Sequence, residues 1–180
     1  MALRKILTYP APQLKGVAGA VSNIDERIDA LVRDMAETMY AAPGVGLAAP
    51  QVGVAERVIV VDVDAENPGK RLLQLINPMI AEREGSIVWE EGCLSVVDYT
   101  ADVKRSARVL VRAWTVDQKE IEVEADALLA VALQHEIDHL DGKLFIDRLS
   151  ALKRDLYKRK VKKMLRDGVP LEPKRTGVGI

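Results

Sequence analysis

The chain has 180 residues, 48% apolar and 29% charged, a globular composition that excludes a disordered or low-complexity protein and allows a sizeable buried core. Its one cysteine, Cys93, excludes an intrachain disulfide framework and fits a reducing compartment. The net charge of −1 hides an asymmetry: residues 153–166 carry +7, so the remainder carries −8.

The opening MALRKILTYPAP has too short an apolar run for a secretion signal, and no stretch approaches the roughly 20 apolar residues of a membrane-spanning helix. The expectation is a cytoplasmic protein with no membrane partner, forming a single domain over residues 1–180. Asn23 is expected to open the first helix, with Glu26 three residues on as in a capping box. Ile24, Ile28, Leu31, Val32, Met35 and Met39 recur at helical spacing and predict a buried face. Pro43 and Gly44 should end this helix. The stretch GVGLAAPQVG, residues 44–53, then reads as a loop or an irregular strand.

Residues 57–63 (RVIVVDV) form a β-branched run, and Asn67, Pro68 and Gly69 predict a turn. Residues 72–76 and 86–89 are further strand candidates. Residues 108–116 alternate partly, Asp117 and Gln118 turn, and residues 120–123 pair back as a hairpin. Trp89 and Trp114 lie in these segments and are read as packing residues. Residues 125–140 (ADALLAVALQHEIDHL) have a helical pattern. Ser150 caps a last, basic helix over 151–167, with Leu152, Leu156, Val161 and Leu165 on one side. Residues 168–180 are expected to be a loose tail. Together these predict an α+β fold: short, mostly antiparallel strands around a buried helix, with a C-terminal helix.

His135, Glu136 and His139 form a His-Glu-x-x-His motif. The two imidazoles stand at i and i+4, so both leave the same helical face and can chelate one ion. Glu136 can reach a water on that ion as a general base. The bland alternative is two surface histidines on an amphipathic helix. The flanking Leu128, Leu129, Val131, Ala132, Leu133 and Ile137 are too apolar for a solvated face.

A catalytic site of this kind needs about three protein ligands. The chain has no third histidine, and the one glutamate after His139 is Glu172, in the expected loose tail. That leaves the aspartates and Cys93, and a thiolate is the stronger partner for a borderline metal. Inert packing is the ordinary role of a lone thiol, and a nucleophilic role would need a histidine base.

Three blocks stand together: Gly44 to Gln51 (GVGLAAPQ), Glu91 to Ser95 (EGCLS) and Gln134 to Leu140 (QHEIDHL). Their order and spacing closely resemble those of the peptide deformylases, bacterial and organellar enzymes that remove the formyl group from nascent N-formylmethionyl chains. The resemblance implies that Cys93, His135 and His139 hold a divalent metal, ferrous iron in the cell, with zinc or nickel able to occupy the site. It implies Glu136 as general base and acid, and Gln51 with the backbone N–H of Leu94 as oxyanion donors. It further implies that Val45, Gly46 and Gly92 contact an extended substrate and that Leu128 and Val131 line a methionine pocket. The residues add that glycine at 44 and 46 permits close approach of a peptide, and that Glu91 and Arg105 could pair to brace the Cys93 segment. The chain departs from the family pattern at residues 97–100 (VDYT), where many members carry proline, and some bacterial members carry an arginine near position 100 that contacts substrate.

The basic helix reads either as a solvated surface or as an arm for a polyanion, which the resemblance identifies as ribosomal RNA; DNA is not an expected partner. Two other functions compete with deformylation: cleavage of internal peptide bonds and non-catalytic metal binding. The missing third histidine and the Gly-Cys-Leu block argue against the first. The general base Glu136 argues against the second.

Overall fold

The computed structural model describes residues 2–64 and 66–173. Seven strands follow in chain order: β1 Gly46–Ala48, β2 Val58–Val61, β3 Leu73–Glu84, β4 Ile87–Cys93, β5 Val96–Arg105, β6 Arg108–Trp114 and β7 Glu120–Asp126. Three α-helices accompany them: α1 Glu26–Ala41, α2 Ala127–Leu140 and α3 Ala151–Arg166. A five-stranded sheet has the order β1-β2-β3-β6-β7, and β4 with β5 forms a separate two-stranded sheet. Every ladder is antiparallel. The α+β expectation therefore holds.

Burial explains why β2 reads as an unbroken apolar run. Val58 and Val60 pack on the α1 side with Ile28, Leu31, Val32, Met35 and Met39. Ile59 and Val61 pack on the α2 side with Ala130, Val131, Leu133 and Ile137. Alternate residues of a strand point to opposite faces, and here both faces are covered. Truncating a fully buried core residue such as Met35 to alanine costs roughly 2–5 kcal/mol.

Several local expectations are corrected. The N-cap of α1 is Asp25, whose carboxylate accepts from the N–H groups of Arg27 and Ile28, not Asn23. A carboxylate at this place also faces the positive end of the helix dipole. β5 was not foreseen, because its residues do not alternate at its start. Trp89 packs against the α2 core as expected, but Trp114 is 41% exposed at the end of β6.

In α3 the cap is Ser150, as its spacing predicts, accepting from Lys153 N–H. Of the predicted apolar side, only Val161 belongs to the docking face. Tyr157 and Val161 are buried, whereas Leu152, Leu156 and Leu165 are exposed. Nor are residues 168–173 simply loose, since Thr8 Oγ1 donates to the carbonyl of Leu171 at 2.8 Å. The rest of the expected tail lies outside the described residues. Among those residues, no helix is long and apolar enough to cross a membrane.

Candidate metal centre

α2 is the most deeply buried helix, and every residue from Ala130 to Leu140 is shielded from solvent. Its apolar residues drive that burial, and its polar residues must then find partners. Gln134 does: it accepts from Arg83 and from Ser106 N–H and donates to the carbonyls of Ser106 and Ala130. Asp138 accepts from Arg105 and, through both oxygens, from Arg148.

The helix presents His135 and His139 to the same point, and their Nε2 atoms are 3.3 Å apart. The β4–β5 turn brings Cys93 there from 46 residues away in sequence, with Sγ 3.3 Å from His139 Nε2. The ligand atoms of Cys93, His135 and His139 all lie within 4.8 Å of one another, and all three residues are buried. Two nitrogens bound at ~2.0–2.1 Å to one tetrahedral ion stand roughly 3.3 Å apart. The observed spacing matches, so the donor set fits a metal ion. Soft thiolate with two imidazoles suits a first-row transition metal.

The outer partners are asymmetric. His135 Nδ1 lies 2.9 Å from Glu91 Oε2, which fixes the ring and directs its Nε2 toward the site. Arg105 in turn clamps Glu91 with two bonds of 2.6 and 2.8 Å and reaches Asp138 at 2.5 Å. The expected pairing of Glu91 with Arg105 is present, and it continues to Asp138 and Arg148, which no local spacing signalled. Glu91, Arg105, Asp138 and Arg148 form a chain of two carboxylates and two guanidiniums whose charges cancel.

Glu136 is the exception to polar satisfaction. Both its carboxylate oxygens, with His139 Nδ1, are buried without a hydrogen-bond partner among the described residues. Burial pushes its pKa up to about 7. Burial disfavours a charged His135, but the negative charge of Cys93, its hydrogen bond and that of Glu91 outweigh this and raise the pKa to about 10. Burial, and then the charge on His135, push His139 well below the usual imidazole range. For Glu91, burial works against ionisation, yet the bonds from Arg105 and His135 hold the carboxyl below its ordinary range.

The other predicted residues fall around this point. Gln51 is buried in the short 3₁₀ turn after β1. Ala48 N–H donates to Gln51 Oε1 at 2.8 Å, so the amide nitrogen is turned toward Cys93 Sγ, 3.7 Å away, and Ser95 Oγ, 3.1 Å away. Leu94 follows Cys93 in the turn, and its side chain packs with the α1 core. Gly46 lies against Glu136: a Cβ there would stand 2.4 Å from Glu136 Oε1. This glycine makes room for the carboxylate, a role the sequence did not suggest. Val45 and Val131 are buried and Leu128 half-buried in one apolar cluster with Trp89. Gly92 is half-buried in β4. Among the described residues β1 pairs only with β2 and β4 only with β5, so each keeps one edge without a ladder. Glu172 lines a cavity beside the N-terminal segment together with Leu3 and Pro170, away from these donors.

A family model described as polypeptide deformylase matches residues 3–155. The peptide deformylase of Syntrophobacter fumaroxidans is 55% identical over 167 residues, covering 93% of this chain and 98% of that one. That of Alkalilimnicola ehrlichii is 51% identical over 168 residues, covering 93% and 94%. The crystal structure of a peptide deformylase from Legionella pneumophila superposes with a TM-score of 0.86 at 44% identity, over 93% of this chain and 98% of that one. One from Ehrlichia chaffeensis, in complex with actinonin, gives 0.85 at 40% identity, over 92% and 99%. With a family match over most of its length and relatives more than half identical to it, the chain belongs to the polypeptide deformylase family.

Proposed function

We propose that this chain is a metal-dependent hydrolase that removes the N-formyl group from the N-terminal formylmethionine of nascent polypeptides. The observation that carries the reading is the pairing of an unpartnered, buried Glu136 carboxylate with three converging metal donors. Cys93 Sγ and the Nε2 atoms of His135 and His139 hold one divalent ion, iron(II) in the cell, with zinc or nickel as substitutes. When bound, that ion acts as a Lewis acid that makes water a nucleophile near neutral pH.

The chain's own residues do the rest. Glu136 Oε takes the proton of the attacking water and returns it to the leaving amine, and a pKa near neutrality suits both transfers. Gln51 Nε2–H and the backbone N–H of Leu94 donate to the formyl oxygen as it gains negative charge. An extended peptide adds to the free edges of β1 and β4, meeting backbone groups of Val45, Gly46 and Gly92. Leu128 and Val131 contribute to an apolar pocket for the methionine side chain. The chain acts as one cytoplasmic catalytic domain.

The deciding experiment gives anaerobically prepared protein a formylmethionyl peptide and its unformylated twin. Formate and free amine are expected from the first alone, and a chelator should abolish both. Cleavage within the unformylated peptide would overturn the reading in favour of an endopeptidase.

A second function is favoured by α3. Seven of its eight basic side chains are exposed and Arg154 is half-buried, on a helix that docks through Tyr157 and Val161. We infer that it serves as a cationic arm for ribosomal RNA, held by phosphate contacts that weaken with salt.

A further inference from the structure

Residues 97–100, where the chain leaves the family's sequence pattern, are held by α3. In the β4–β5 ladder Cys93 pairs with Val96 and Glu91 with Ala101. Gly92 alone therefore faces the four residues Val97, Asp98, Tyr99 and Thr100, which form a bulge. Asp98 has φ 54°, in the left-handed region. Such a segment has no regular ladder to fix its path, and its position must come from outside the hairpin.

α3 supplies that support. Tyr157 Oη donates to the carbonyl of Val97 at 3.4 Å, and Lys160 Nζ donates to the carbonyl of Asp98 at 2.6 Å. The Tyr99 and Tyr157 rings pack with centroids 4.9 Å apart. Tyr99 also stacks on Phe145 at 6.1 Å, and Phe145 on His135 at 6.2 Å. A continuous set of rings thus runs from the basic helix, through the bulge, to the edge of the metal centre.

We propose that Tyr157 and Lys160 are positioning residues: α3 clamps the 97–100 bulge and so sets the line of β4 at Gly92, where substrate residues beyond the formylmethionine hydrogen-bond. This rests on the deformylase reading for the path of the substrate. A bulge bends its own strand and increases the local twist, and β4 shares that twist through its ladder with β5, so a loosened bulge lets the Gly92 backbone drift from its bonding position. The drift is confined to Gly92, because its neighbours Glu91 and Cys93 keep their own ladder partners, Ala101 and Val96, and Arg105 clamps Glu91. Glu136 lies on α2, and His135 keeps its orientation through its 2.9 Å contact with Glu91. The loss should fall on binding of longer peptides, not on turnover.

Two variants and two readouts test this. Tyr157→Leu keeps an apolar group in place of the ring, and Lys160→Met removes one surface ammonium. Both should keep the far-UV circular dichroism of the parent. Hydrogen exchange followed by mass spectrometry should show amides of 97–100 exchanging about tenfold faster in both. KM for a formylmethionyl tetrapeptide should rise roughly fivefold, with kcat within about twofold, while formylmethioninamide is handled as by the parent. Unchanged exchange in both variants overturns the clamp. An equal rise in KM for both substrates overturns the role at Gly92. Absence of turnover by the parent would instead sink the deformylase reading, and the exchange data would still decide the clamp.

Discussion

α2 and α3 are similar in length, 14 and 16 residues, but opposite in construction. α2 is apolar overall and buries its polar residues. α3 is strongly basic and leaves three leucines in solvent while docking through Tyr157 and Val161. In α2 each buried polar group costs free energy unless it is bonded, so the network of Glu91, Arg105, Asp138 and Arg148 is tied to the histidines. In α3 most charges stay hydrated, although Lys160 donates to the carbonyl of Asp98. Buried polarity holds chemistry in one geometry, whereas solvated charge leaves a helix free to meet something outside the fold.

The largest effect on this contrast should come from Glu136, the group α2 buries without a partner. Glu136→Gln should lower kcat on a formylmethionyl peptide by about 10²–10⁴-fold. Bound metal, read by atomic spectroscopy, should be unchanged; retention of parental turnover would remove Glu136 from the chemistry.

Next comes Gly46→Ala, which places a methyl 2.4 Å from Glu136 Oε1. The methyl cannot be housed without moving the carboxylate, and a displacement near 1 Å costs about 10²-fold in rate. A variant with the parent's kcat would mean that the carboxylate has space the packing does not reveal.

Glu91→Gln tests the support for His135. The amide cannot match a carboxylate as acceptor and leaves Arg105 short of charge. Metal affinity, measured by competition with a chromogenic chelator, should fall about 10–100-fold. Equal affinity would limit Glu91 to a packing role.

The smallest effect on chemistry should come from α3. Changing Lys153, Lys158, Lys162 and Lys163 together to glutamine spares Lys160 and should leave turnover of a free formyl peptide unchanged. Ribosome binding in a pelleting assay should weaken, and its dependence on salt should flatten. Binding that stays as tight and as salt-sensitive as the parent's would take the arm out of the account.

What the sequence determined by itself was local in origin. The i, i+4 spacing of His135 and His139, the Ser150 cap and the β-branched run of β2 are all written in short-range pattern, and each appears in the fold. The grouping of Cys93 with the histidines was also legible, by elimination of other ligands and from three blocks in a familiar order. Only the tertiary structure decided the rest. Asn23 lost the cap to Asp25 because the helix begins two residues later than its apolar spacing suggests. β5 escaped notice because the four-residue bulge opposite Gly92 breaks the alternation by which a strand is recognised. The leucines of α3 misled because spacing identifies an apolar stripe but not the surface it meets, and Tyr157 was the side chain with rings to pack against. Gly46 beside Glu136, and Arg105 between Glu91 and Asp138, join segments far apart in sequence. Their contacts follow from how the sheet and α2 close on each other, and no local spacing encodes that closure.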